Sequence, residues 1–143
     1  MVKLIVGKKG SGKTKAMIDS INNAKVTSHG DIVFICDGVR HITDIDHKIR
    51  LIDMKEYDHE TFRVFNAFIC GILSQNYDIS HIYIDSLLRI VENDTDNIVN
   101  FIESVNRLGE KNNVDFVICI SADKSELPEQ IHQYICWFFE NYI

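Results

Sequence analysis

Eight residues near the start of the sequence, Gly7-Lys8-Lys9-Gly10-Ser11-Gly12-Lys13-Thr14, combine three glycines, three lysines and two hydroxyls in the spacing G-x-x-x-x-G-K-[ST]. That combination suits the holding of concentrated negative charge. A loop that wraps a polyphosphate must turn several backbone N–H groups inward, and Gly7, Gly10 and Gly12 supply the backbone freedom and missing Cβ that allow it. A helix beginning near Lys13 aims its unpaired N–H groups and positive dipole end at the same phosphates. Lys13 then reaches the outer phosphates as a point charge, and the Thr14 hydroxyl is a ligand for Mg²⁺. The side chains of Lys8 and Lys9 either add phosphate contacts or stay solvated.

A second acidic position lies further on. His81-Ile82-Tyr83-Ile84-Asp85 is an apolar, strand-like run ending in a carboxylate, at the strand end where α/β sheets bind their ligands. Asp85 is the candidate partner of Thr14 in holding Mg²⁺; the alternative is an Asp that caps a turn. Its neighbour Ser86 is no general base at neutral pH without another group to activate it. Glu92 and Asp94 are nearby carboxylates, more simply read as caps of the next helix. Ser121, after another apolar run, is either a polar group at the terminal phosphate or the start of a turn capped by Asp123.

The loop and its setting resemble the P-loop NTPases, over the whole α/β chain, with the eight-residue loop as the specific motif. The likeness is to the additional-strand, RecA-like class, and also to small single-domain bacterial proteins catalogued under twitching-motility ATPase names. It implies ATP as ligand, Mg²⁺ as cofactor, and Lys13 and Asp85 as the residues nearest the chemistry. In that class a Glu usually follows the acidic strand and polarises the attacking water. Ser86 stands in its place, which implies weak or partner-dependent hydrolysis. The thymidine-kinase pattern lacks both that Glu and its zinc cysteines, and Ser121-Ala122-Asp123-Lys124 does not supply the N-K-x-D by which GTPases read the base. Small-molecule kinases of this fold hold their acceptor just past the second strand, where Asp37 and Arg40 lie, but they bring lid arginines late in the chain. Here no Arg follows Arg107.

These residues need elements to position them. Val2 to Val6, Ile32 to Cys36, Ile82 to Ile84 and Val114 to Ile120 read as strands, with Ile49 to Ile52 as an extra edge strand and Trp137-Phe138-Phe139 as part of a final buried one. Helices are predicted over Thr14 to Ala24, His59 to Leu73 (capped by Asp58) and Thr95 to Leu108, each with an apolar stripe. Strands apolar on both faces, alternating with amphipathic helices, indicate a three-layer α/β/α sandwich around a mainly parallel sheet of about five strands.

Composition narrows the classes. At 143 residues, 45% apolar, the chain is of single-domain size. Fifteen Lys and Arg against twenty-one Asp and Glu leave no broad basic field for a nucleic-acid backbone. No run approaches the ~20 apolar residues of a membrane span, and no secretory segment opens the sequence, so the expected location is the cytoplasm. Cys36, Cys70, Cys119 and Cys136 sit singly in apolar runs and read as core thiols. His41, Asp44, Asp46, His47 and His59 match no metal-ligand spacing. The expectation is one P-loop domain over residues 1–143, with little chain to spare for a lid. It binds a nucleoside triphosphate, acts weakly or with a protein partner or second copy, and has two alternatives: a small-molecule or nucleoside kinase, or a non-hydrolysing nucleotide sensor.

Overall fold

The computed structural model describes residues 1–38, 46, 48–57, 61–91 and 96–138. The apolar runs become strands β1 (Val2–Gly7), β2 (Asp31–Cys36), β3 (Arg50–Asp53), β4 (Ile79–Ile84), β5 (Asp115–Ser121) and β6 (Ile135–Phe138). All pair in parallel in one sheet, in the order β3-β2-β4-β5-β1-β6. The sheet therefore has six strands, not about five, because both the expected edge strand and the C-terminal strand join it, the latter at an edge with Trp137 only partly buried rather than as the buried strand expected. Their shortness suits the edges, where a strand has one partner and half the ladder.

Helices α1 (Lys13–Thr27), α2 (Phe62–Gln75), α3 (Leu87–Ile90) and α4 (Ile98–Asn112) cover the sheet. On one face α1 buries Met17, Ile21 and Ala24 against Ile5, Phe34, Tyr83 and Val117. On the other, α2 and α4 pack over Leu4, Ile35, Ile82 and Ile118, and Phe101 of α4 meets Phe62 and Phe65 of α2 at ring distances of 4.8 and 5.7 Å. Alternate strand residues thus serve opposite layers, as a doubly covered sheet requires.

Several boundaries differ from expectation. The cap of α2 is Thr61, whose hydroxyl accepts from the Val64 N–H at 3.2 Å; Asp58 and His59 lie outside the described residues, as do Glu92, Asp94 and Thr95. The one-turn α3 has no periodicity long enough to predict. Cys36 and Cys119 are buried, but Cys136 is exposed on edge strand β6, because an edge strand has no helix over its outward side. Among the described residues no helix is long and apolar enough to cross a membrane.

Candidate functional site

The C-terminal ends of β1, β2, β4 and β5 open into one cavity of about 410 Å³, lined by residues from the turn after each of these strands and by the start of α1. Residues 8–12 follow β1 and lead straight into α1. Gly10 has φ +84° and Gly12 φ +94°, left-handed values that tax any side chain, and a Cβ on either would meet nothing within 4 Å. The glycines are thus demanded by backbone conformation beside open space. No side chain caps the start of α1 and its first turn holds no acidic residue, so its leading N–H groups are left for a ligand.

Lys13 is the one buried charged side chain among the described residues, 9% exposed. Its Nζ donates to the Lys8 carbonyl at 3.0 Å. Burial pulls its pKa below the usual lysine value, an effect that the neighbouring Cys119 and the Asp85 carboxylate oppose. The Oγ of Ser11 is buried with no hydrogen-bond partner. Buried hydroxyls are seldom left so, since the lost solvation is not recovered. A desolvated ammonium and an uncapped helix start at one loop form a site that fits a polyanion.

Lys13, Thr14 and Asp85 line the same cavity. The Asp85 N–H donates to the Ile35 carbonyl at 2.9 Å, extending the β2 ladder by one residue and fixing where the carboxylate emerges. A hydroxyl and a carboxylate are the hard oxygen donors Mg²⁺ prefers. Of the remaining loop residues, Gly10 and Lys9 also line the cavity, while Lys8 turns its ammonium to Glu126 at 3.8 Å on the surface. Gly7 is the last residue of β1 and pairs with Ser121 of β5. Ser121 is exposed and lines the cavity, and Asp123 closes the following 3₁₀ turn, its N–H donating to Glu126 Oε1 at 3.2 Å. The turn of the second reading is present at Asp123, while Ser121 lines the cavity.

Asp37 joins the site paired with an arginine that the sequence does not single out. Arg40 lies outside the described residues; Asp37 instead pairs with Arg89 of α3, Oδ2 to Nε at 3.4 Å. Arg89 was one of five arginines without a distinguishing mark. Its only local signal is its distance, four residues past Asp85. Ser86, at φ 59° and ψ 51°, makes the left-handed turn that brings α3 back over the cavity. Such a conformation costs a non-glycine residue about 1–2 kcal/mol, and strain of this kind gathers at functional sites. The Gly38 N–H donates to Asp53 Oδ1 at 2.9 Å, tying the turn after β2 to β3. Cys36 sits behind these carboxylates, and burial, followed by Asp53, Asp85 and Asp37, pushes its thiol up to about 11, so it is inert. Of the imagined metal cluster, His41, Asp44, His47 and His59 are outside the described residues, and Asp46 is paired with Lys25 at 2.9 Å.

The described lining carries three cations, Lys9, Lys13 and Arg89, against the carboxylates of Asp37 and Asp85. In a chain of net charge −6, this concavity is locally positive. The chain matches no protein-family model and no curated protein, so the site stands on its own geometry.

Proposed function

We propose that this protein binds Mg²⁺-ATP on residues 7–14 and hydrolyses it slowly or only with a partner. The observation that carries the reading is the meeting of Lys13, Thr14 and Asp85 at one cavity beside an uncapped helix start. The loop and the Lys13 ammonium hold the phosphates. Thr14 and Asp85 would hold the Mg²⁺, which offsets charge on the outer phosphates. The strand order supports an ATPase over a kinase, because β5 stands between β1 and β4, as in the additional-strand class, whereas in the kinase class those two strands touch.

Ser86 in place of a water-activating Glu supports slow turnover. The same residue favours the second reading, a nucleotide sensor whose ligand shifts a partner-binding surface. Phosphate release without an acceptor separates ATPase from sensor, and acceptor-dependent ADP formation would revive the kinase.

The test is a thermal-shift panel of nucleoside triphosphates with and without Mg²⁺, on wild type and Lys13→Ala. A ligand at a hundred times its dissociation constant adds ~2.7 kcal/mol, or roughly ten degrees for a domain of this size. Wild type should shift and Lys13→Ala should not. No shift of wild type by any triphosphate would sink the proposal.

A further inference from the structure

Arg89 and Asp37 line the same cavity as the loop and pair with each other there. Their contact is a single Nε to Oδ2 approach of 3.4 Å, with the Asp37 side chain 10% exposed and that of Arg89 43% exposed. A half-exposed pair of this kind is weak. It engages Nε and leaves the two terminal amino groups of the guanidinium for other acceptors. Phosphate oxygens are the stronger partner, since a guanidinium meets them with two parallel charge-assisted bonds.

Which phosphate Arg89 would meet follows from the strand order. The loop follows β1, Asp85 follows β4, and Arg89 lies four residues past Asp85, beside the end of β2. Two strand spacings, ~10 Å, separate β1 from β4. Were Mg²⁺ held by Thr14 and Asp85 it would offset charge on the outer phosphates, and Arg89, four residues past Asp85 on the same cavity, is placed to meet the terminal one.

We propose that Arg89 is the residue by which this site tells a nucleoside triphosphate from a diphosphate, and that Asp37 holds it in reserve until a terminal phosphate displaces the carboxylate. With a diphosphate the ion pair stays closed. With a triphosphate Arg89 leaves Asp37, and the turn at Asp37–Gly38, tied through Asp53 to β3, is released from α3. This inference rests on the nucleotide-binding reading.

The experiment is isothermal titration calorimetry with Mg²⁺-ATP and Mg²⁺-ADP on wild type, Arg89→Ala, Arg89→Gln, Asp37→Asn and the double variant Arg89→Ala/Asp37→Asn. Arg89→Gln keeps most of the stem and loses the charge, which guards against a local packing effect. Both Arg89 variants should lose about tenfold or more in ATP affinity and under about threefold in ADP affinity. Asp37→Asn should tighten ATP binding in the wild-type background and much less in the Arg89→Ala background, since the carboxylate acts through the arginine. Equal weakening of ATP and ADP, or no change in either, would overturn the inference and leave nucleotide binding standing. If wild type binds neither nucleotide, both fall together.

Discussion

At the C-terminal ends of the strands, Gly10, Gly12 and Gly38 adopt φ of +84°, +94° and +94°, and a Cβ on Gly10 or Gly12 would meet nothing within 4 Å. At the N-terminal ends, Gly30 and Gly109 have no positive φ and no room: a Cβ on Gly109 would lie 2.7 Å from the Val114 carbonyl oxygen and 2.8 Å from the Met1 nitrogen, and one on Gly30 would lie 2.5 Å from Ser80 Cβ. Polar groups divide in the same way. At the far end the Met1 amine donates to the Val114 carbonyl at 2.9 Å and approaches Asp115, His81 lies 3.8 Å from Asp115 and 2.9 Å from Ser80 Oγ, and the Val2 N–H donates to Asn106. At the cavity end Ser11 Oγ has no partner and Lys13 Nζ rests on a single carbonyl. Left-handed non-glycine backbone occurs at both ends, at Ser86 and at Asn113, but the far end is closed by close contacts, while the cavity end keeps open space beside its left-handed glycines and a lysine held by one carbonyl.

Substitutions at the two ends should separate these roles. The largest loss of stability is expected at the far end, where Gly109→Ala, like Gly30→Ala, meets backbone. Overpacking of this kind costs about 3 kcal/mol, so thermal denaturation should show a melting point lower by roughly ten degrees. The nucleotide-induced shift should survive, and its loss would mean that the two ends are coupled. Gly12→Ala comes next, costing about 1–2 kcal/mol of backbone strain and no clash. Its melting point should fall by only a few degrees, yet the nucleotide-induced shift should vanish.

Acidity divides the ends more gently. Burial lowers the pKa of Lys13 below 10.5, so the ammonium proposed to bind phosphate is lost as pH rises through that lowered value. Nucleotide affinity should therefore fall on the alkaline side before pH 10.5 is reached. The ligand-free protein should behave oppositely over that window, because its unfolded chain binds more protons than its folded form and stability rises with pH. Titration of wild type against Lys13→Met, by calorimetry and by melting, reads both signs; a parallel trend would contradict the burial of this group. The smallest effect belongs to His81, whose pKa burial lowers below 6.5 against the pull of Asp115. Its folded form resists protonation, so stability is lost as pH falls through 6.5 towards the lowered value. His81→Gln should flatten the melting profile between about pH 7 and 5 and leave nucleotide binding untouched.

Much of the site was legible because it is contiguous. Residues 7–14 state their own backbone need, and Asp85 stands at the end of a run apolar on both faces; each signal is local. Asp37 was also marked, with Arg40, by its place after a strand, but its ion-pair partner is Arg89, fifty-two residues away along the chain. No spacing predicts such a pair. It depends on β2 lying beside β4 and on the left-handed Ser86, which turns α3 over the cavity. Gly30 and Gly109 gave no signal either, because a close approach is set by what arrives from another strand or helix.

The sequence by itself determined the alternation of strands and helices, the doubly covered parallel sheet and the eight-residue loop, all of which follow from hydrophobic period and backbone preference within short windows. Only the tertiary structure decided the six-strand order with β5 between β1 and β4, the pairing of Arg89 with Asp37, the unsatisfied hydroxyl of Ser11 and the sealing of the far end. Those depend on which elements become neighbours, and that choice comes from the joint burial of many apolar faces, to which no single segment holds the answer.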